Sequence, residues 1–148
     1  KFSTRTSFAA SHVYQGQVSV PTLKGYEPDA KVLAFAGGYG DKFTLTTDVM
    51  LAADGADVVV TDVWASMGQE GEAEKRRAAF ATFQVNAALL AKAKPDATVQ
   101  HCLPAHRGEE ISAAVFEAHA DEIFDEAENR LHVQKAVLYL LMGQEKQG

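Results

Sequence analysis

The run Asp57-Val58-Val59-Val60-Thr61 constrains the fold of this chain more than any other stretch. Three valines followed by a threonine form a continuous β-branched segment, which suits a strand and loses side-chain freedom in a helix. Because it lacks polar alternation, the run fits a parallel strand covered on both faces better than an antiparallel strand with one wet side. It ends abruptly in Asp62. A second run, Ala97-Thr98-Val99-Gln100-His101, follows the helix-stopping Pro95 and leads into Cys102-Leu103-Pro104. Shorter strand candidates are Val18-Ser19-Val20, Phe43-Thr44-Leu45-Thr46 and Glu122-Ile123-Phe124.

Helical stretches lie between them. Asp29 is placed to N-cap Ala30 to Ala36, which the cluster Gly37-Gly38-Tyr39-Gly40 then stops. The longest helix is expected from about Glu72 to Lys94, with Phe80, Phe83, Ala87 and Leu90 on one apolar stripe. A last helix, from about Glu126 to Met142, carries Leu131, Val133, Val137, Leu138 and Leu141 behind an acidic start that suits the helix dipole. This alternation predicts an α/β fold, a mostly parallel sheet joined by helical crossovers. No internal repeat, low-complexity tract or linker interrupts it.

The chain has 148 residues, enough for one ordinary domain. With 47% hydrophobic and 23% charged residues it is not a disordered tail. A net charge of −6 excludes a global attraction for nucleic acid or an anionic membrane, so any anion must be held by a local cluster. No apolar run approaches the roughly 20 residues that span a bilayer. The basic start Lys1-Phe2-Ser3-Thr4-Arg5 leads into no signal-like apolar stretch. The single cysteine, Cys102, cannot form an internal disulfide, and a cytoplasmic protein is expected.

Ligands of open parallel sheets bind beyond the carboxyl ends of the strands. If the two best strands are parallel neighbours, Asp62 to Gly68 and His101 to Pro104 meet at one edge. Asp62 there suits an amine or a metal, or simply closes a loop. Ser66-Met67-Gly68 offers a hydroxyl, backbone N–H groups and close approach, and is equally compatible with a plain turn. Cys102 reads as a ligand-contacting thiol, a nucleophile or a small buried hydrophobe. His101, Cys102 and His106 lack the paired spacing of a zinc site, so no metal is expected.

Ser3, Thr4, Arg5 and Thr6 precede a helix expected over Ser7 to Tyr14 and match either a phosphate cradle or an ordinary capped helix. Arg130 falls in the first turn of the expected last helix, where a cation opposes the dipole and calls for a negative partner, a ligand or Glu126 or Glu128. The Gly37 to Gly40 cluster has neither G-x-G-x-x-G spacing nor a preceding strand, and no Walker A sequence is present, so nucleotide binding has no support.

Together these segments resemble the ornithine carbamoyltransferases. The matching stretches are Lys24-Gly25-Tyr26-Glu27-Pro28, Thr61-Asp62-Val63-Trp64-Ala65-Ser66-Met67-Gly68-Gln69-Glu70, His101-Cys102-Leu103-Pro104 and Phe124-Asp125-Glu126-Ala127-Glu128-Asn129-Arg130-Leu131-His132. They run in the family's order from about Pro21 to Gly143, and the D-x-x-x-S-M-G and H-C-L-P elements favour ornithine over the aspartate-using relatives.

The resemblance implies a three-layer, doubly wound, Rossmann-like ornithine-binding domain over residues 21–148, preceded by residues 1–20 as a remnant of the carbamoyl-phosphate-binding part. It implies that Asp62, Ser66 and Met67 hold the amino-acid end of L-ornithine. Cys102, Leu103 and Arg130, with Ser3, Thr4, Arg5 and Thr6, would bind carbamoyl phosphate, and Cys102 and Arg130 would be catalytic. The implied reaction gives L-citrulline and phosphate in arginine metabolism, with no cofactor. Family members form homotrimers or multiples of them, largely through the domain that this chain carries only as a remnant. The second arginine of the family's S-T-R-T-R is replaced by Ser7, and its H-P-x-Q and G-D-x-N-N segments are not found. A truncated or internally deleted chain is therefore expected, with a catalytically silent amino-acid-binding module as the alternative.

Overall fold

The computed structural model describes residues 16–65 and 70–142. Two compact units divide the chain, Lys1–Ala56 and Asp57–Gly148.

In the first unit, strand β1 (Val18–Pro21) pairs in parallel with β2 (Phe43–Thr46), Val18 opposite Phe43 and Pro21 opposite Thr46. Helix α1 (Ala30–Gly37) makes the crossover. Asp29 caps it by accepting from the Lys31 N–H, and Gly37 and Gly38 end it, both as expected. Helix α2 (Val49–Ala53) follows β2 and packs on both strands, with the Asp48 carboxylate accepting from Met50 and Leu51 N–H. Among the described residues of this unit, Ala36, Ala53 and Thr22 are buried.

In the second unit, β3 (Val58–Thr61) pairs in parallel with β4 (Thr98–His101), so the α/β class and the parallel pairing of the two best strands are both observed. The register places Thr61 opposite His101. The expected burial of the valine run on both faces does not hold within this unit. Val58 and Val60 are 47% and 55% exposed, because helix α6 packs on β4 and no described element of the unit covers that face of β3.

The expected helix from Glu72 to Lys94 is two helices, α3 (Ala73–Phe80) and α4 (Ala87–Leu90), joined by a 3₁₀ turn at Ala81–Phe83. The break has identifiable causes. Gln84 turns extended and its amide donates to the carbonyls of Gly108 and Glu109 at 2.9 Å each. Val85 bridges to Ile111, and Asn86 caps α4 through Ala88 and Leu89 N–H. The apolar stripe survives in part, since Phe80 and Phe83 meet edge to face at 5.4 Å.

Helix α5 (Ala113–Ala118) leads into α6 (Ala120–Met142). The strand expected at Glu122 to Phe124 is the beginning of α6, which starts six residues earlier than the charge pattern suggests, with Asp121 and Glu122 in its first turn. Ile123 is fully buried, and the Glu122 carboxylate accepts the Val99 N–H at 2.8 Å, tying α6 to the edge of β4. The core of the unit is Val85, Leu89, Val99, Ile111, Val115, Phe116 and Ile123. No helix among the described residues is long and apolar enough to cross a membrane.

Candidate active site

The Thr61–His101 register puts the first residues beyond both strands, Asp62 and Cys102, side by side at one edge of the second unit. Donor atoms of Asp62, His101 and Cys102 lie within 4.8 Å of one another. Asp62 is exposed, and its Oδ1 accepts the Val63 N–H at 2.7 Å, so it closes its own loop while its carboxylate remains at the edge.

The Cys102 thiol is pushed up from its ordinary 9.0 to about 11. Desolvation is the largest cause, followed by the adjacent Asp62 carboxylate and the charge of Glu126, with Arg130 pulling the other way. Each of the first three disfavours a thiolate. Cys102 is therefore a neutral thiol at physiological pH and a poor nucleophile, which counts against the nucleophile among its three readings.

Leu103 adopts φ +52°, a left-handed conformation that costs a non-glycine residue about 1–3 kcal/mol and that clusters at functional sites. The next peptide, Leu103-Pro104, is cis. A buried side-chain pair beneath the turn holds it. Leu103 N–H donates to His101 Nδ1 at 2.9 Å, so that nitrogen carries the lone pair and the proton sits on Nε2. Nε2–H in turn donates to Glu110 Oε1 at 3.0 Å, and both side chains are fully buried. Glu110 Oε1 also accepts the His106 N–H at 2.6 Å. Burial pushes the Glu110 carboxyl up, but the hydrogen bonds from His101 and from the backbone outweigh it and hold it below its usual range. The sequence reading missed Glu110. Its signal is the pair Glu109-Glu110 just before an apolar helix start, which is indistinguishable by pattern from surface charge.

Arg130 does not lie in a first helical turn. It is well inside α6, so the dipole argument for a negative partner falls away. Its Nη1 donates to the Cys102 carbonyl at 3.4 Å, which brings the guanidinium to the same edge by a different route. Glu128, one of its two expected partners, meets His132 at 3.2 Å instead. Ser3, Thr4, Arg5, Thr6, Ser66 and Met67, with the helix expected at Ser7 to Tyr14, lie outside the described residues.

Among the described residues, two groups have the composition of a cation site, Asp62-His101-Cys102 and His106-Glu109-Glu110. Neither fits a metal well. Both ring nitrogens of His101 are engaged, the Cys102 thiol is protonated, and Glu109 Oε1 holds Arg77 at 3.0 Å.

Residues 3–141 match the sequence profile of the aspartate/ornithine carbamoyltransferase, Asp/Orn binding domain. The chain belongs to that family. It is 58% identical over 119 residues to the ornithine carbamoyltransferase of Oleidesulfovibrio alaskensis, covering 80% of this chain and 40% of the relative. It is 54% identical over 135 residues to that of Pyrococcus abyssi, covering 88% and 43%. Among solved structures, the anabolic ornithine carbamoyltransferase of Campylobacter jejuni superposes with a TM-score of 0.82 at 41% identity, over 87% of this chain and 44% of that one. The enzyme of Pyrococcus furiosus does so with 0.79 at 52% identity, over 88% and 43%. The chain thus spans about two-fifths of the length of these relatives.

Proposed function

We propose that this chain is an ornithine carbamoyltransferase, transferring the carbamoyl group of carbamoyl phosphate to the δ-amine of L-ornithine to give L-citrulline and phosphate. The observation that carries the reading is the meeting of Asp62 and Cys102 at one parallel-strand edge, with Arg130 on the Cys102 carbonyl. In this proposal Asp62, Ser66 and Met67 hold the amino-acid end of ornithine. Cys102, Leu103 and Arg130 bind the carbamoyl group, and Ser3, Thr4, Arg5 and Thr6 bind its phosphate. Residues 1–20 then belong to the carbamoyl-phosphate side and residues 21–148 to the ornithine side, in a cytoplasmic enzyme of arginine metabolism.

The chemistry is direct acyl transfer. The neutral amine attacks the carbamoyl carbon, the C–N bond forms, the C–O bond to phosphate breaks with its electron pair leaving on phosphate, and the nitrogen gives up a proton to the departing phosphate. A free alkylammonium titrates at about 10.4, so the amine must lose one proton to solvent before attack. A guanidinium placed where negative charge develops on the carbonyl oxygen lowers the barrier, which is the role of Arg130. A protonated Cys102 donates a hydrogen bond and does not compete with the amine as nucleophile.

The test is citrulline formation by the purified 148-residue chain, with Cys102→Ala beside it. Activity that falls at least about a hundredfold in the variant, a loss of some 2.7 kcal/mol in transition-state stabilisation, is the expected result. Equal activity in both removes Cys102 from the chemistry. Coverage of only about two-fifths of the relatives favours a second reading, a catalytically silent module that keeps amino-acid recognition through Asp62 and Ser66. That module is stabilised by ornithine and makes no citrulline.

A further inference from the structure

Glu126 lies on α6 one turn before Arg130. Its Oε2 is buried and has no hydrogen-bond partner among the described residues. A carboxylate and a guanidinium four residues apart on a helix ordinarily attract each other. Among the described residues, however, no ion pair joins these two, because Arg130 reaches over to the Cys102 carbonyl. Four residues before Arg130, Glu126 lies on the side of α6 from which the guanidinium reaches Cys102, and its charge there disfavours the thiolate. A buried carboxylate oxygen without a donor is costly unless something supplies one. Asp62 already accepts from its own loop, whereas the Glu126 oxygen is uncommitted.

We propose that Glu126 is a further substrate-contacting residue whose carboxylate holds the terminal amino group of the substrate, a primary alkylammonium on arrival. This rests on the carbamoyl-transfer reading above and names the group that receives the second half of the amino acid. The proposal also accounts for the pairing of opposite charges on one helix. As the C–N bond forms, the nitrogen becomes positive and the carbonyl oxygen negative, and Glu126 and Arg130 meet those charges one turn apart.

The experiment compares L-ornithine with L-norvaline, the same amino acid without its terminal amine, as stabilising ligands of the intact chain. Dissociation constants from thermal-shift titration are measured for wild type, Glu126→Gln and Glu126→Asp, with unfolding midpoints as the folding control. Wild type should prefer ornithine by about tenfold or more, a difference of some 1.4 kcal/mol, with norvaline affinity alike in all three chains. Glu126→Gln should lose the preference and Glu126→Asp should recover part of it. A Gln variant that still prefers ornithine as wild type does overturns the assignment while leaving the carbamoyl-transfer reading standing. A wild type with no preference contradicts that reading and the inference together.

A second measurement needs no substrate. Cys102 is the only thiol in the chain, and its alkylation rate follows its thiolate. Asp62, Glu126 and Arg130 all act on it, so Glu126→Gln should move the inflection to lower pH while Glu126→Asp should not. An unmoved inflection in the Gln variant means that Glu126 is not at this edge.

Discussion

At the scale of single residues, His101 and Glu110 do the most to shape the site without facing a ligand. Glu110 fixes the imidazole by accepting Nε2–H, and the free Nδ1 then accepts the backbone N–H of Leu103, the residue with positive φ. The conformation beside Cys102 is thus paid for by a fully buried pair. Stability should depend on pH through the same carboxylate. Because the folded protein holds Glu110 below its usual 4.5, the stabilisation is complete above that value and is lost as pH falls through the lower folded one. Glu110→Gln should therefore be less stable than wild type by about 1–3 kcal/mol at pH 7, and the gap should narrow as urea unfolding is repeated at acid pH. An equal gap at both pH values means that the charge of Glu110 contributes nothing.

Among the elements, the parallel pair β3 and β4 is legible in the sequence because β-branched runs and their polar exits leave a clear pattern. Asp62 and Cys102 could be brought together from that pattern alone, and the register of Thr61 with His101 agrees. The break between α3 and α4 is not legible. It depends on the bridge of Val85 to Ile111 and on the Gln84 amide reaching carbonyls some 24 residues away, neither of which leaves a local signal. The start of α6 is hidden for a related reason. Ile123 and Phe124 read as a strand by composition, but burial of Ile123 against the unit's core decides for helix.

The two ends of α6 should then respond differently to truncation. Ile123→Ala removes a fully buried side chain and should cost about 2–5 kcal/mol. Leu138→Ala, at a position 56% exposed, should stay within about 0.5 kcal/mol. Chemical denaturation of both variants checks this, and a large loss at Leu138 would show that its face is covered in solution.

For the whole molecule, the carboxyl ends of two parallel strand pairs offer two places for a ligand. The first unit has a groove of about 410 Å³ lined by Thr22, Leu23, Lys24, Glu27, Leu45, Thr46 and Thr47, beyond β1 and β2. It is open and holds a single lysine and a single carboxylate. The second unit has the edge beyond β3 and β4, where Asp62, Cys102 and Arg130 meet with Glu126 one helical turn before Arg130, and among the described residues only this edge combines a thiol, carboxylates and a guanidinium. The central claim is that the amino acid binds at the second edge. Backbone amide NMR of the labelled chain, titrated with L-ornithine, tests it most directly. Shifts concentrated at Asp62 to Ala65, Cys102 to Ala105 and Glu126 to Arg130 are the predicted result, and saturating shifts confined to Thr22 to Glu27 and Leu45 to Thr47 would contradict it.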